Sequence, residues 1–182
     1  MYTSINIAVR RLSKVIVFLT LSLIFVGALI KSHEVGLSVP DWPTSYGKQM
    51  FSFPFSEMVG GIFYEHGHRL FATIVGFFTL IQFIVLSFTD HPMWVKKMSF
   101  IALVLVITQG FLGGMTVIFF LPPQISILHG VLAQIFFISI IFIAYSLSDS
   151  RLNKKKESFP LFIKRGALII TLLVFVQLVL GA

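Results

Sequence analysis

Residues 65–88 read EHGHRLFATIVGFFTLIQFIVLSF, a polar head from Glu65 to Arg69 followed by nineteen residues without a single charge. A helix needs about 20 apolar residues to cross roughly 30 Å of hydrocarbon, and this stretch supplies them. Four more stretches have the same character. They run over about 15–30, 98–120, 125–147 and 163–182, with this one starting near His66. The sequence therefore specifies an all-α membrane protein: a four-helix transmembrane bundle plus a fifth transmembrane helix.

Composition agrees. The 182 residues are 57% hydrophobic and 12% charged, with a mean hydropathy of +0.95, far too apolar for a chain that must cover itself in water. With no cysteine, disulfides and thiolate metal sites are excluded. The net charge of +7 does not indicate nucleic acid, because the basic residues lie between apolar stretches rather than along one polar face. Eleven of them (Arg10, Arg11, Lys14, Lys96, Lys97, Arg151, Lys154, Lys155, Lys156, Lys164 and Arg165) fall on one side of the membrane, and Lys31, Lys48 and Arg69 fall on the other. The excess marks the cytoplasmic side. The expectation is a multi-pass protein of the cell's inner (plasma) membrane, with a cytoplasmic N-terminus retained as an anchor and lipid as its surroundings.

An alternation runs through the helices. The first, third and fifth carry small-residue pairs: Gly27-Ala28, Gly113-Gly114 and Gly181-Ala182. The second and fourth carry His68-x-x-x-Ala72 and His129-x-x-x-Ala133. Small residues allow close helix approach, and the pairwise repeat implies a four-helix unit over residues 1–150, with an outer loop at 31–64. Residues 151–182 are then a basic cytoplasmic loop and the first helix of a second, truncated unit.

His68 and His129 sit near the outer ends of helices that run in the same direction, at nearly equal depth. Imidazole is a strong iron ligand, and bundle cores hold cofactors through side chains on facing helices. Ala72, Gly76 and Ala133 leave space on the same faces for a flat macrocycle. Polar residues within a span are functional suspects, and two at matched depth favour a shared haem over isolated interhelical hydrogen bonds. Zinc remains open only through Glu65 and His66. His66 points away from His68, and His33 and His91 are loop residues without a partner pattern. Glu65 shares a helix face with His68 and also lies one turn from Arg69. The two can form a capping ion pair, or Glu65 can act beside the cofactor while Arg69 meets a propionate through its planar fork. The loop around Pro40-Asp41-Trp42-Pro43, bracketed by Gly36 and Gly47, is a turn-rich structure. It can serve as an aromatic belt at the interface or as a lid.

Taken together, Gly36-Leu37-Ser38-x-Pro40-Asp41-Trp42-Pro43, Glu65-x-x-His68-Arg69, Gln109-x-x-Leu112-Gly113-Gly114-x-Thr116-Val117 and His129-x-x-x-Ala133 resemble the heme A synthase family over about residues 15–182. The resemblance implies an enzyme of two four-helix halves that oxidises a methyl group of haem O to a formyl, giving haem A for terminal oxidases. The first half would hold the substrate haem and the missing second half a haem b. It implies His68 and His129 as axial ligands, Glu65 as the catalytic acidic residue and Arg69 as its cofactor-binding neighbour. It also implies a homo-oligomer, with haem O synthase and an electron donor as further partners. Many relatives carry a loop cysteine pair, and the matching positions here are Val39 and Ser45. The alternatives are a bis-histidine, cytochrome b-like electron carrier and, third, a transporter or structural protein.

Overall fold

A computed structural model describes residues 2–148, 151 and 159–181. Its helices are α1 (Tyr2–Ser32), α2 (Gly61–Phe88), α3 (Met93–Ile118), α4 (Pro123–Ser146) and α5 (Leu161–Gly181), with two single 3-10 turns at Met50–Ser52 and Phe55–Glu57. Four of the helices are long and apolar enough to cross a membrane, and α5 is a further apolar helix of 21 residues. The chain is a multi-pass α-helical membrane protein, as its sequence specifies. The basic stretch between α4 and α5 falls mostly outside the described residues.

The helices begin earlier than their apolar runs. In α1 the charged segment with Arg10, Arg11 and Lys14 is helical because a buried stripe continues beneath it: Val9, Ser13, Ile16 and Thr20 are all buried, at the spacing of one helix face. Pro92 and Pro122 stand immediately before α3 and α4, where proline has no hydrogen bond to lose. The α3–α4 turn closes tightly, with Leu121 N–H donating to Thr116 O at 2.7 Å, a Schellman-type stop. It places Phe120 and Leu121 both at φ 58°, an uncommon conformation for side-chain-bearing residues.

Packing joins α1 to α2, α2 to α3, α3 to α4 and α4 back to α1. The four helices thus form a closed ring in which α2 and α4 are diagonal. α5 stands outside the ring, against α4, with its described side chains exposed nearly throughout.

The core is one-sided. Val9 and Ile16, Val75 and Leu86, Val95 and Ala102, and Phe136, Ile140, Ile143 and Leu147 form one buried cluster. Every one of these comes from the half of its helix away from the long loop. A buried Gln82 Nε2 to Ser13 Oγ hydrogen bond of 2.6 Å ties α2 to α1 in that same half. At the loop end the bundle is not filled in this way, and the histidines lie there.

Candidate functional site

His68 is seven residues past Gly61 and His129 six past Pro123, about 10 Å and 9 Å along their helices at 1.5 Å per residue. Their depths match even though both helices start earlier than their apolar runs. Because α2 and α4 are diagonal, the two side chains approach the bundle axis from opposite sides.

Each imidazole packs on a glycine of the preceding helix. A Cβ added to Gly27 would stand 3.2 Å from His68 Cε1, and one added to Gly113 would stand 3.4 Å from His129 Cε1. The alternation of glycine-bearing and histidine-bearing helices is thus a packing rule, repeated once in each half of the ring. Nδ1 of both rings is buried without a hydrogen-bond partner. Ring orientation is therefore set by the glycine slots rather than by an acceptor on Nδ1, the more common arrangement for metal-ligating histidine. Nε2 is the ring nitrogen left open.

These features fit a haem iron. Among the described residues no group of three or more His, Cys, Asp or Glu side chains could hold a metal ion. Two imidazoles alone suit a centre whose other four ligands come from a macrocycle. The side chains that had left zinc open are engaged elsewhere. Glu65 is bonded to the loop and to Arg69. His66, fully buried, has its Nδ1 2.9 Å from Ser45 Oγ, and its ring packs on Phe53 with 4.8 Å between centroids.

Glu65 and Arg69 form an ion pair at 2.7 Å, both nearly buried. The pair does more than cap α2. Glu65 Oε2 accepts from Val39 N–H at 2.8 Å. Arg69 donates through one terminal nitrogen to Asp41 O at 2.7 Å and Thr44 O at 3.1 Å, and through the other to Val39 O at 2.9 Å and to Glu65. All four terminal N–H groups of the guanidinium are thereby engaged by this chain. The planar fork expected to meet a propionate instead holds three separate loop carbonyls and Glu65.

The loop is fixed from within as well. Asp41 accepts from Thr44 Oγ1 at 2.5 Å, Tyr46 N–H at 2.7 Å and Gly47 N–H at 2.9 Å. Burial would raise the pKa of this carboxyl, but the donors from Thr44, Gly47 and Tyr46 outweigh it and hold it below its usual value of 3.8. A depressed folded pKa means the ionised form stabilises the loop above pH 3.8, and that contribution fades as pH falls through the folded value. Acidification below that range is expected to loosen the loop, read as increased protease cleavage near residues 40–47. An Asp41→Asn chain should be cleaved at neutral pH as well. Wild-type protection that stays unchanged through an acid titration carried well below pH 3.8 would contradict this.

Val39 and Ser45, the positions matched to the relatives' cysteines, are both fully buried. Val39 N–H donates to Glu65, Val39 O accepts from Arg69, and Ser45 Oγ pairs with His66 Nδ1, fastening the loop without a covalent link. The loop's aromatic side chains fall into two sets. Phe51 and Phe55 remain more than 70% exposed, as belt residues would. Trp42 folds inward against α3, where a Cβ on Gly114 would come within 2.4 Å of its Cδ2.

Sequence reasoning placed His66 and Trp42 at this end but missed their partners, Ser45 and Phe53 for His66 and Gly114 for Trp42, and missed the loop carbonyls held by Arg69. The tandem glycine at 113–114 was the available signal, since one imidazole needs only one of them.

Comparison with known proteins gives a consistent picture. A family model described as cytochrome oxidase assembly protein (COX15-CtaA) matches residues 48–182. The heme A synthase of Shewanella oneidensis is 29% identical over 148 residues, covering 74% of this chain and 44% of the relative. The chain thus spans less than half the length of the curated relative it matches. No solved structure matches it. With the family model covering most of the sequence, the chain belongs to the COX15-CtaA family of cytochrome oxidase assembly proteins.

Proposed function

We propose that this chain is the substrate-haem half of a heme A synthase, an oxidoreductase that converts a methyl group of haem O to the formyl of haem A. The observation that carries this reading is the diagonal histidine pair, at one depth, each ring seated on a glycine. His68 and His129 are the axial ligands, and the substrate's own iron and ring supply the redox centre. Glu65, one turn from His68, is the acidic group. Its negative charge stabilises positive charge that develops at the oxidised carbon. Arg69 holds Glu65 and the loop in place. The protein lies in the inner membrane with its N-terminus cytoplasmic, on the strength of the basic-residue asymmetry. Haem b, haem O synthase, an electron donor and self-association belong to the complete assembly.

A second reading is favoured by one observation. Both Glu65 oxygens are engaged by Val39 and Arg69, as suits a structural anchor beside a bis-histidine electron carrier. Expression of the chain with a haem O supply, followed by extraction and identification of its haem, separates the two. Haem A or a hydroxylated precursor supports the enzyme. Unchanged haem O alongside bound haem b supports the carrier. Glu65→Gln keeps the size of the side chain and should retain haem while losing product. Full activity in that variant would remove Glu65 from the chemistry.

A further inference from the structure

We infer that Trp42 is a positioning residue for the histidine pair, and that the segment from Val39 to Gly47 is a strap joining the two halves of the bundle. The inference rests on the reading of His68 and His129 as axial ligands.

On one side the strap is fastened to α2. Arg69, the residue after His68, holds the carbonyls of Val39, Asp41 and Thr44. On the other side, through Trp42 from its middle, it packs on α3. Cβ at Gly114 would stand 2.4, 2.5 and 2.8 Å from Cδ2, Cε2 and Cε3 of Trp42, so the indole lies against bare helix backbone. Phe111, one turn earlier, flanks it with 6.2 Å between ring centroids. Gly113, adjacent to that slot, seats His129. Two neighbouring glycines of α3 therefore receive the strap's indole and one ligand's imidazole, while the strap's other anchor follows directly on the second ligand.

This placement matters because the bundle's buried core lies in the opposite half. At the loop end the described helices bury only two apolar side chains, Leu112 and Val117 of α3. The rings also lack acceptors on Nδ1, so their orientation follows whatever holds the helices. The strap supplies that hold, and Trp42 is its contact on the α3 side.

The test uses the full chain in detergent micelles, loaded with haem b as the probe and read by electron paramagnetic resonance and redox titration. The wild-type chain is expected to give a low-spin bis-imidazole signal. Trp42→Ala should shift part of the signal to high spin, move the midpoint potential and weaken haem binding about tenfold, in line with losing a group that orients a ligand. Trp42→Phe keeps a ring for the slot and should recover most of the signal. Gly114→Ala should mimic Trp42→Ala by expelling the indole. In the Trp42→Ala background it should add nothing further, since the clash it creates is gone.

Wild-type spectra and potentials in Trp42→Ala would overturn the inference. So would an undiminished effect of Gly114→Ala in the double variant, because helix packing alone would then account for it. So would a Trp42→Phe chain no better than the alanine variant. A wild-type chain that gives no bis-imidazole signal fails the ligand reading itself and removes the inference with it.

Discussion

Arg69→Ala is expected to release the loop from the bundle and to cost about 3–5 kcal/mol, the range for breaking a buried ion pair by removing one partner. The magnitude follows from what the substitution leaves behind. Glu65, 5% exposed, would lose its counter-ion, and the carbonyls of Val39, Asp41 and Thr44 would lose their donors. Unsatisfied buried groups carry most of such a penalty. Arg69→Lys would restore a charge for Glu65 but not the four-donor fork, so it should recover only part of the loss. Thermal unfolding in detergent, together with protease mapping of residues 38–47, measures both effects. If Arg69→Ala left the midpoint and the cleavage pattern unchanged, the network of Arg69 would be of no consequence to the fold.

The second large effect is expected at the histidines. His68→Gly and His129→Gly should each abolish the bis-imidazole signal. Each should weaken haem binding by more than the ten- to hundredfold typical of losing a supporting group around a metal, and each should end haem A formation. Both histidines are only partly buried, so unfolding midpoints of the haem-free variants should stay close to wild type. Added imidazole should restore the low-spin signal, because the glycine leaves the ring's place vacant beside Gly27 or Gly113. Binding that survived either single substitution unchanged would exclude that residue as a ligand.

These two predictions differ in how far the sequence anticipates them. The apolar runs, their number and the matched depth of His68 and His129 follow from one-dimensional spacing. Helix rise and span length are constant, so counting residues is enough. The Glu65–Arg69 pair is equally local, being one helical turn apart. The glycine–histidine alternation also reads directly as a repeat, and in the folded chain Gly27 faces His68 and Gly113 faces His129.

Arg69 shows where that reasoning stops. An arginine beside a haem ligand invites a propionate, yet its fork is occupied by loop carbonyls 25 to 30 residues away in the chain. Nothing in residue type distinguishes one planar acceptor set from another. His66 is similar. Its helical phase places it away from His68, but only the folded loop brings Ser45 and Phe53 to it.

By itself, then, the sequence determined an all-α membrane bundle with two equivalent histidines near one end, because helix periodicity and the hydrophobic thickness of a bilayer leave little choice. Only the tertiary structure decided that the core fills the opposite half, that α2 and α4 stand on a diagonal, and that a strap closes the histidine end. Those outcomes depend on which helix faces meet and where a loop's backbone polar groups find partners, and both are set by contacts between residues far apart in the chain.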